Sequence, residues 1–258
     1  MTAPMRGGVT AAASATLALT AFIGHENNAQ GITIAAILAV AVAFFAAGWP
    51  RLLGIPAQRG ASTVIALSGL GALIIAVTTH QFRLLPIVLA AGVIASFVHQ
   101  MLRTDGRPRL VESVSATVTG VIVVTLGAGW VTVVTRYGET DALNHPLPMA
   151  MILVGACSLT GATIGSIVFP RAVSAYFATL LATGIGTGVG WIFPSVGWLP
   201  GLITGFSVGV LYTGMHILFG MFPASRRVRP AIAAALLPVL ASGIVVYIVA
   251  RAIATVEV

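Results

Sequence analysis

The chain has 258 residues, of which 58% are hydrophobic and 7% charged, and its mean hydropathy is +1.03. Soluble domains carry roughly a quarter charged residues, so folding alone cannot hide this much apolar surface, and the solvent must be lipid. The net charge of +7 would suggest nucleic acid in a soluble protein, but here positive residues gathered at the cytoplasmic side explain it, and no nucleic-acid partner is expected.

Charge-free apolar runs of about 17–25 residues are read as membrane spans. The first covers Gly8–Ile23, behind Arg6. It is short enough to resemble a signal peptide, but Leu19-Thr20-Ala21 is a poor cleavage site, so a retained span is expected. Further spans are Ile32–Gly48, Ala61–Thr79, Leu84–Leu102, Ser113–Thr135, Pro148–Phe169, Ala172–Phe193, Leu199–Phe222 and Ala231–Ala250. The uncharged stretch after Ala172 is divided at Phe193-Pro194-Ser195-Val196-Gly197-Trp198-Leu199-Pro200, a turn with two prolines and flanking aromatics. Pro238 lies well inside the last span and predicts a kink. The fold class is therefore an all-α, polytopic transmembrane bundle.

Arginine placement sets the expected orientation. With the N-terminus inside, cytoplasmic segments carry Arg6, Arg51, Arg59, Arg103, Arg107, Arg109, Arg171, Arg226, Arg227 and Arg229. The outer segments carry only Arg83, Arg136 and Arg251, with Glu26, Glu139 and Asp141. The asymmetry predicts N-in and C-out. Every basic side chain is Arg and none is Lys, which suggests a GC-rich bacterial genome and hence the inner membrane.

An internal repeat emerges from paired features in the same order at nearly constant separation. Trp49-Pro50-Arg51 is echoed by Phe169-Pro170-Arg171, and Ser68-Gly69-Leu70-Gly71 by Thr183-Gly184-Ile185-Gly186. Leu85-Pro86 is echoed by Leu199-Pro200, His99 by His216, and Arg107-x-Arg109 by Arg227-x-Arg229. Gly120-Val121-Ile122-Val123-Val124 matches Gly243-Ile244-Val245-Val246. The expected layout is a leading span and outer turn (residues 1–30), then two parallel four-helix units (31–137 and 138–258). Parallel units are related by an axis along the membrane normal, and sites tend to lie between them.

Few residues can carry chemistry. Arg107 and Arg109, with Arg226, Arg227 and Arg229, could clamp phosphate or carboxylate groups through paired guanidiniums. The plainer reading is topology plus contact with anionic lipid headgroups, worth roughly 1 kcal/mol per Arg. Asp105 and Glu112 can pair with the first loop's own arginines, whereas the second loop has no acid. Gly106 beside Asp105 suggests a tight turn. His99 and His216 stand near inner span ends, where imidazoles are candidates for a pathway. His25, His80 and His145 fall in outer turns. The small residues of spans six to eight imply close helix packing. Within that track, Gly184, Gly188 and Thr213 are the positions at which a pathway or an unwound segment is expected.

Absences narrow the function further. No Asp or Glu lies within any span, which argues against a carboxylate proton relay. Without Lys there is no Walker A loop, and the single Cys157 leaves no disulfide or cysteine metal site. No catalytic residue, metal or cofactor is expected. The favoured function is transport or translocation of a small or lipid-linked anionic solute between the two units. The alternatives are a non-catalytic scaffold or subunit of a cell-envelope membrane complex, and an enzyme acting on lipid-linked substrates. Expected partners are membrane lipids with anionic headgroups, and a protein partner or second copy through small-residue helix faces.

Overall fold

The computed structural model of the protein describes residues 3–24, 30–79, 81–137, 147–170 and 172–256. In chain order the helices are α1 (Ala3–Gly24), α2 (Gln30–Leu52), α3 (Gln58–Thr79), α4 (Leu85–Met101), α5 (Leu110–Gly127), α6 (Gly129–Tyr137), α7 (Leu147–Val168), α8 (Ser174–Ile192), α9 (Trp198–Gly220) and α10 (Val228–Val256). Short 3-10 turns at Phe82–Leu84 and Pro223–Arg226 join α3 to α4 and α9 to α10, and no strand occurs among the described residues. Nine segments of the described chain are long and apolar enough to cross a membrane, α5 and α6 together making one of them. The protein is thus a multi-pass, all-helical membrane protein. Arg6, Arg51, Arg59, Arg103, Arg107, Arg109, Arg226, Arg227 and Arg229 collect at one end of the bundle, and Arg83, Arg136 and Arg251 at the other. His25, His80, His145, Glu26, Glu139, Asp141, Arg171 and the boundary after residue 137 lie outside the described residues.

Lipid tails are as apolar as Leu, so helices in a membrane associate through close packing rather than through escape from water. The track of small residues in α7, α8 and α9 serves this end. A Cβ on Gly186 would stand 2.7 Å from the Gly201 carbonyl oxygen, and one on Gly205 would stand 2.5 Å from that of Ala182. One on Gly165 would meet the α8 backbone at Ala178, 2.6 Å away. The three helices therefore touch backbone to backbone. Helix α8 runs without interruption, so no unwound segment exists between Gly184 and Gly190. Gly184 and Gly188 face the other way and have nothing within 4 Å.

The fifth span departs from the single helix its sequence predicts. It breaks at Ala128, between Gly127 and Gly129, dividing α5 from α6. The cause lies in α10: Gly129 is pressed against the Gly243 carbonyl, leaving no room for a Cβ, and Gly127 lies against Leu240. The indole N–H of Trp130 then donates to the Val239 carbonyl at 2.8 Å. Trp49 does the same for α2 and α5, donating to the Ala116 carbonyl at 2.8 Å. Around these contacts Trp130, Val131, Val133, Met151, Ile152 and Leu240 are fully buried, so the middle of the bundle is dry and filled.

Proline positions fit this packing. Helix α10 runs through Pro238, which has no N–H for the Ala234 carbonyl four residues back. The neighbouring Ala235 carbonyl instead accepts the Thr10 hydroxyl of α1 at 2.7 Å. Near the end of α2, Pro50 is followed by Arg51, whose guanidinium donates to the Ala47 carbonyl.

Two glycine substitutions separate close packing from simple helix propensity. Gly129→Ala should lower stability by about 1–3 kcal/mol, because its obstacle is backbone and cannot rotate away. Gly184→Ala meets open space and should be neutral or stabilising by up to ~1 kcal/mol. Thermal unfolding of both variants in the same detergent checks the contrast.

Candidate functional site

The loop between α4 and α5 holds the first group of arginines, and it spends them on itself. Arg103 is buried, donates to Gln100 Oε1 at 2.7 Å and forms a two-point pair with Asp105 at 3.0 and 2.6 Å. Gly106, Arg107 and Arg109 have positive φ angles of 77°, 52° and 53°, which turn the chain sharply towards α5. Arg107 reaches back to the Met101 carbonyl at 2.8 Å, closing the open end of α4. Arg109 pairs with Glu112 and donates to the Gly54 carbonyl at 2.9 Å. The bidentate Arg103 pair holds the Asp105 carboxyl below the usual carboxylate range.

The second group is arranged differently. Arg226, Arg227 and Arg229 are exposed. Arg227 directly precedes α10, whereas Arg229 lies in its first turn, with its backbone carbonyl against Gly48 of α2. The two Arg-x-Arg elements therefore do not share one register at their helices. Of the five candidate arginines, Arg226 lines the cleft described below.

The histidines occupy similar levels, both near the arginine-rich ends of their helices. His99, in the last turn of α4, lies directly over Gly60 of α3, where a Cβ would overlap its ring. Its Nε2 is buried, and it has no hydrogen-bond partner among the described residues. His216, one turn before the end of α9, stacks on Tyr212 with ring centroids 5.5 Å apart. Thr213 sits in the α8–α9 contact, its hydroxyl 3.2 Å from that of Thr179.

A large cleft brings His216 and Arg226 together with residues not singled out from sequence. It is a cleft of about 1250 Å3 at the arginine-rich end, bounded by α1, α7, the start of α8, α9 and the 3-10 turn before α10. Arg6, Ser166, His216 and Arg226 supply its polar wall, and Met5, Ile167, Ile217, Met221 and Phe222 its apolar wall. Arg6 and His216 also border a smaller cavity of about 10 Å3 further in, which reaches Thr10, Tyr212 and the backbone around Pro238. Ala234, whose carbonyl is freed by Pro238, belongs to that inner lining.

Hydrogen bonding gives the wall a fixed polarity. The Ser166 hydroxyl donates to the Thr163 carbonyl at 2.8 Å, so it is the Tyr212 hydroxyl that donates to Ser166 Oγ at 2.8 Å. That order leaves the Tyr212 lone pairs facing His216 Nδ1 at 3.5 Å, the outer limit of a hydrogen bond, and favours a proton on Nδ1. Arg6 begins a polar row on α1 that continues with Thr10 and Ser14 at helical spacing of four. Ser14 meets Thr160 of α7 at 3.0 Å. The row runs about 12 Å inward from Arg6 at 1.5 Å per residue.

Arg6 has no counter-charge in the protein as described. Its Nε is buried without a hydrogen-bond partner. The acids among the described residues are Asp105 and Glu112, both already paired in the α4–α5 loop. Arg6 counted in the sequence only towards orientation, and Ser166 and Tyr212 drew no attention at all. The pattern that could have found them is the four-residue spacing of Arg6, Thr10 and Ser14 and of Tyr212 and His216, which puts each set on one helix face. Among the described residues no group of three or more His, Cys, Asp or Glu is placed to hold a metal ion. No protein-family model, curated protein or solved structure matches this chain.

The Arg103–Asp105 pair makes a pH prediction. Its carboxyl titrates below the unfolded value of about 3.9, so the pair stabilises the fold above that pH and is lost as pH falls through the lowered pKa. Wild type should therefore be more heat-stable than Asp105→Asn at pH 7, and the difference should shrink as pH falls towards 3. A difference that stays constant over that range would show that the carboxylate charge is not what holds the loop.

Proposed function

We propose that the protein transports or translocates an anionic solute, and that the solute enters through the cleft between α1, α7 and α9. The observation that carries this reading is Arg6, a half-buried arginine whose buried Nε has no hydrogen-bond partner and which has no described carboxylate, set where the cleft narrows into an inner polar cavity. An unpaired charge taken partly out of water is costly, and a bound anion would relieve that cost. The entry lies to one side of the central contact between the chain's halves, because that contact is filled by Trp130 and its neighbours.

The arginine-rich end is assigned to the cytoplasm of a bacterial inner membrane, by the preference of basic residues for that side. The two four-helix units are assigned to a duplication. Serial packing of α2 on α3, α3 on α4 and α4 on α5, matched by α7 on α8, α8 on α9 and α9 on α10, supports it. A scaffold role in a membrane complex is the second reading, favoured by the dry centre and by the outward Gly184–Gly188 face of α8.

Native mass spectrometry of gently extracted protein tests the choice. Wild type should retain an anionic molecule, and Arg6→Gln, equally well folded, should lose it. Unchanged retention in Arg6→Gln would contradict the entry site. Orientation is checked in a Cys157→Ser background, where Thr104→Cys should label from the cytoplasm and Thr140→Cys from outside. The reverse pattern would overturn the assignment.

A further inference from the structure

We infer that the ligand of the cleft is a phosphate-bearing membrane amphiphile, which enters sideways from the bilayer with its head on Arg6 and its tail outside the bundle. This rests on the proposed anion entry and adds the chemistry of the ligand and its route. The first support is the composition of the wall. Two arginines and the serines 166, 174 and 225 line one cavity. A phosphate group offers several acceptor oxygens in a compact tetrahedron, and so can take the paired N–H donors of a guanidinium.

The second support is where the cleft opens. Its lip carries Met5, Ile167, Ile217 and Met221, which are 60%, 44%, 52% and 77% exposed. Met5, Ile167 and Ile217 lie near the arginine-rich ends of helices long and apolar enough to cross a membrane, the level at which headgroups meet hydrocarbon. A soluble anion gains nothing from that apolar lip, whereas an amphiphile lays its tail against it. Burial of the tail along Ile167 and Ile217 adds apolar contact that a free headgroup lacks.

The third support is the division of the space. The outer cleft is about 1250 Å3 and the inner cavity about 10 Å3, with Arg6 and His216 on the boundary. The inner cavity has room for about one water molecule. A headgroup is therefore held at Arg6, with the rest of the molecule outside it, unless α1 or α9 moves.

Three probes in an uncharged detergent test this by native mass spectrometry: dihexanoyl phosphatidylglycerol, glycerol 3-phosphate and dihexanoyl phosphatidylcholine. The phosphatidylglycerol should bind at least about tenfold more tightly than either of the others. Arg6→Gln should weaken it by about tenfold or more, and Arg6→Lys should restore part of the loss. Ile217→Ser should weaken phosphatidylglycerol and leave glycerol 3-phosphate unchanged. All variants are compared at matched thermal stability, and Ile217 faces outward, so its replacement leaves the core intact. If glycerol 3-phosphate binds as tightly as the lipid, the amphiphile is overturned while the anion site stands. Equal binding of the phosphatidylcholine would overturn the anionic head. Binding untouched by Arg6→Gln would overturn both the amphiphile and the site.

Discussion

Hydrocarbon offers no hydrogen-bond partner, so every donor that this chain carries into the membrane must be answered by the chain itself. The structure meets that demand with great regularity. Thr117, Thr125, Thr132, Ser158, Thr163 and Thr183 each return their hydroxyl to the carbonyl four residues back. The buried indoles of Trp49 and Trp130 reach across to carbonyls of neighbouring helices. Against this background a buried donor without a partner is informative, and Arg6 is the one that carries a full charge into a cleft.

The same constraint shapes the helix contacts. Where backbones touch, as in α7, α8 and α9, glycines remove the side chains that would hold them apart. Where α1 joins the bundle, polar and shape contacts replace that intimacy. Thr10 bonds the α10 carbonyl left beside Pro238, Ser14 meets Thr160, and Gly7 receives Ile167 and Thr163 of α7. Helices α1 and α9 each pack on α7 and α10. The cleft opens between those supports, so the leading helix is one of its walls and not merely an anchor.

Much of the fold was legible in the sequence because length and hydropathy alone decide whether a helix can cross a membrane. All nine spans fall where charge-free runs predict them, within a few residues at their ends. The break at Ala128 was not legible, because it arises from the carbonyl of Gly243, far along the chain. The pairing of Asp105 and Glu112 with nearby arginines could be foreseen, since both partners lie in one loop. The cleft could not, since Arg6, Ser166, His216 and Arg226 come from four separate segments. Arg6 in particular reads as a topology signal until the helices around it are placed. The glycine track of α8 was legible as close packing but not in its register: the contact face carries Gly186 and Gly190, while Gly184 and Gly188 point away from it.

The most direct measurement is a cryo-electron microscopy map of the protein extracted with its native lipids. Elongated density should run from hydrogen-bonding distance of the Arg6 guanidinium outward between Ile167 and Ile217. A map in which Arg6 pairs with a carboxylate of the protein itself, and protein side chains fill the cleft, would contradict an anion-binding entry at this site.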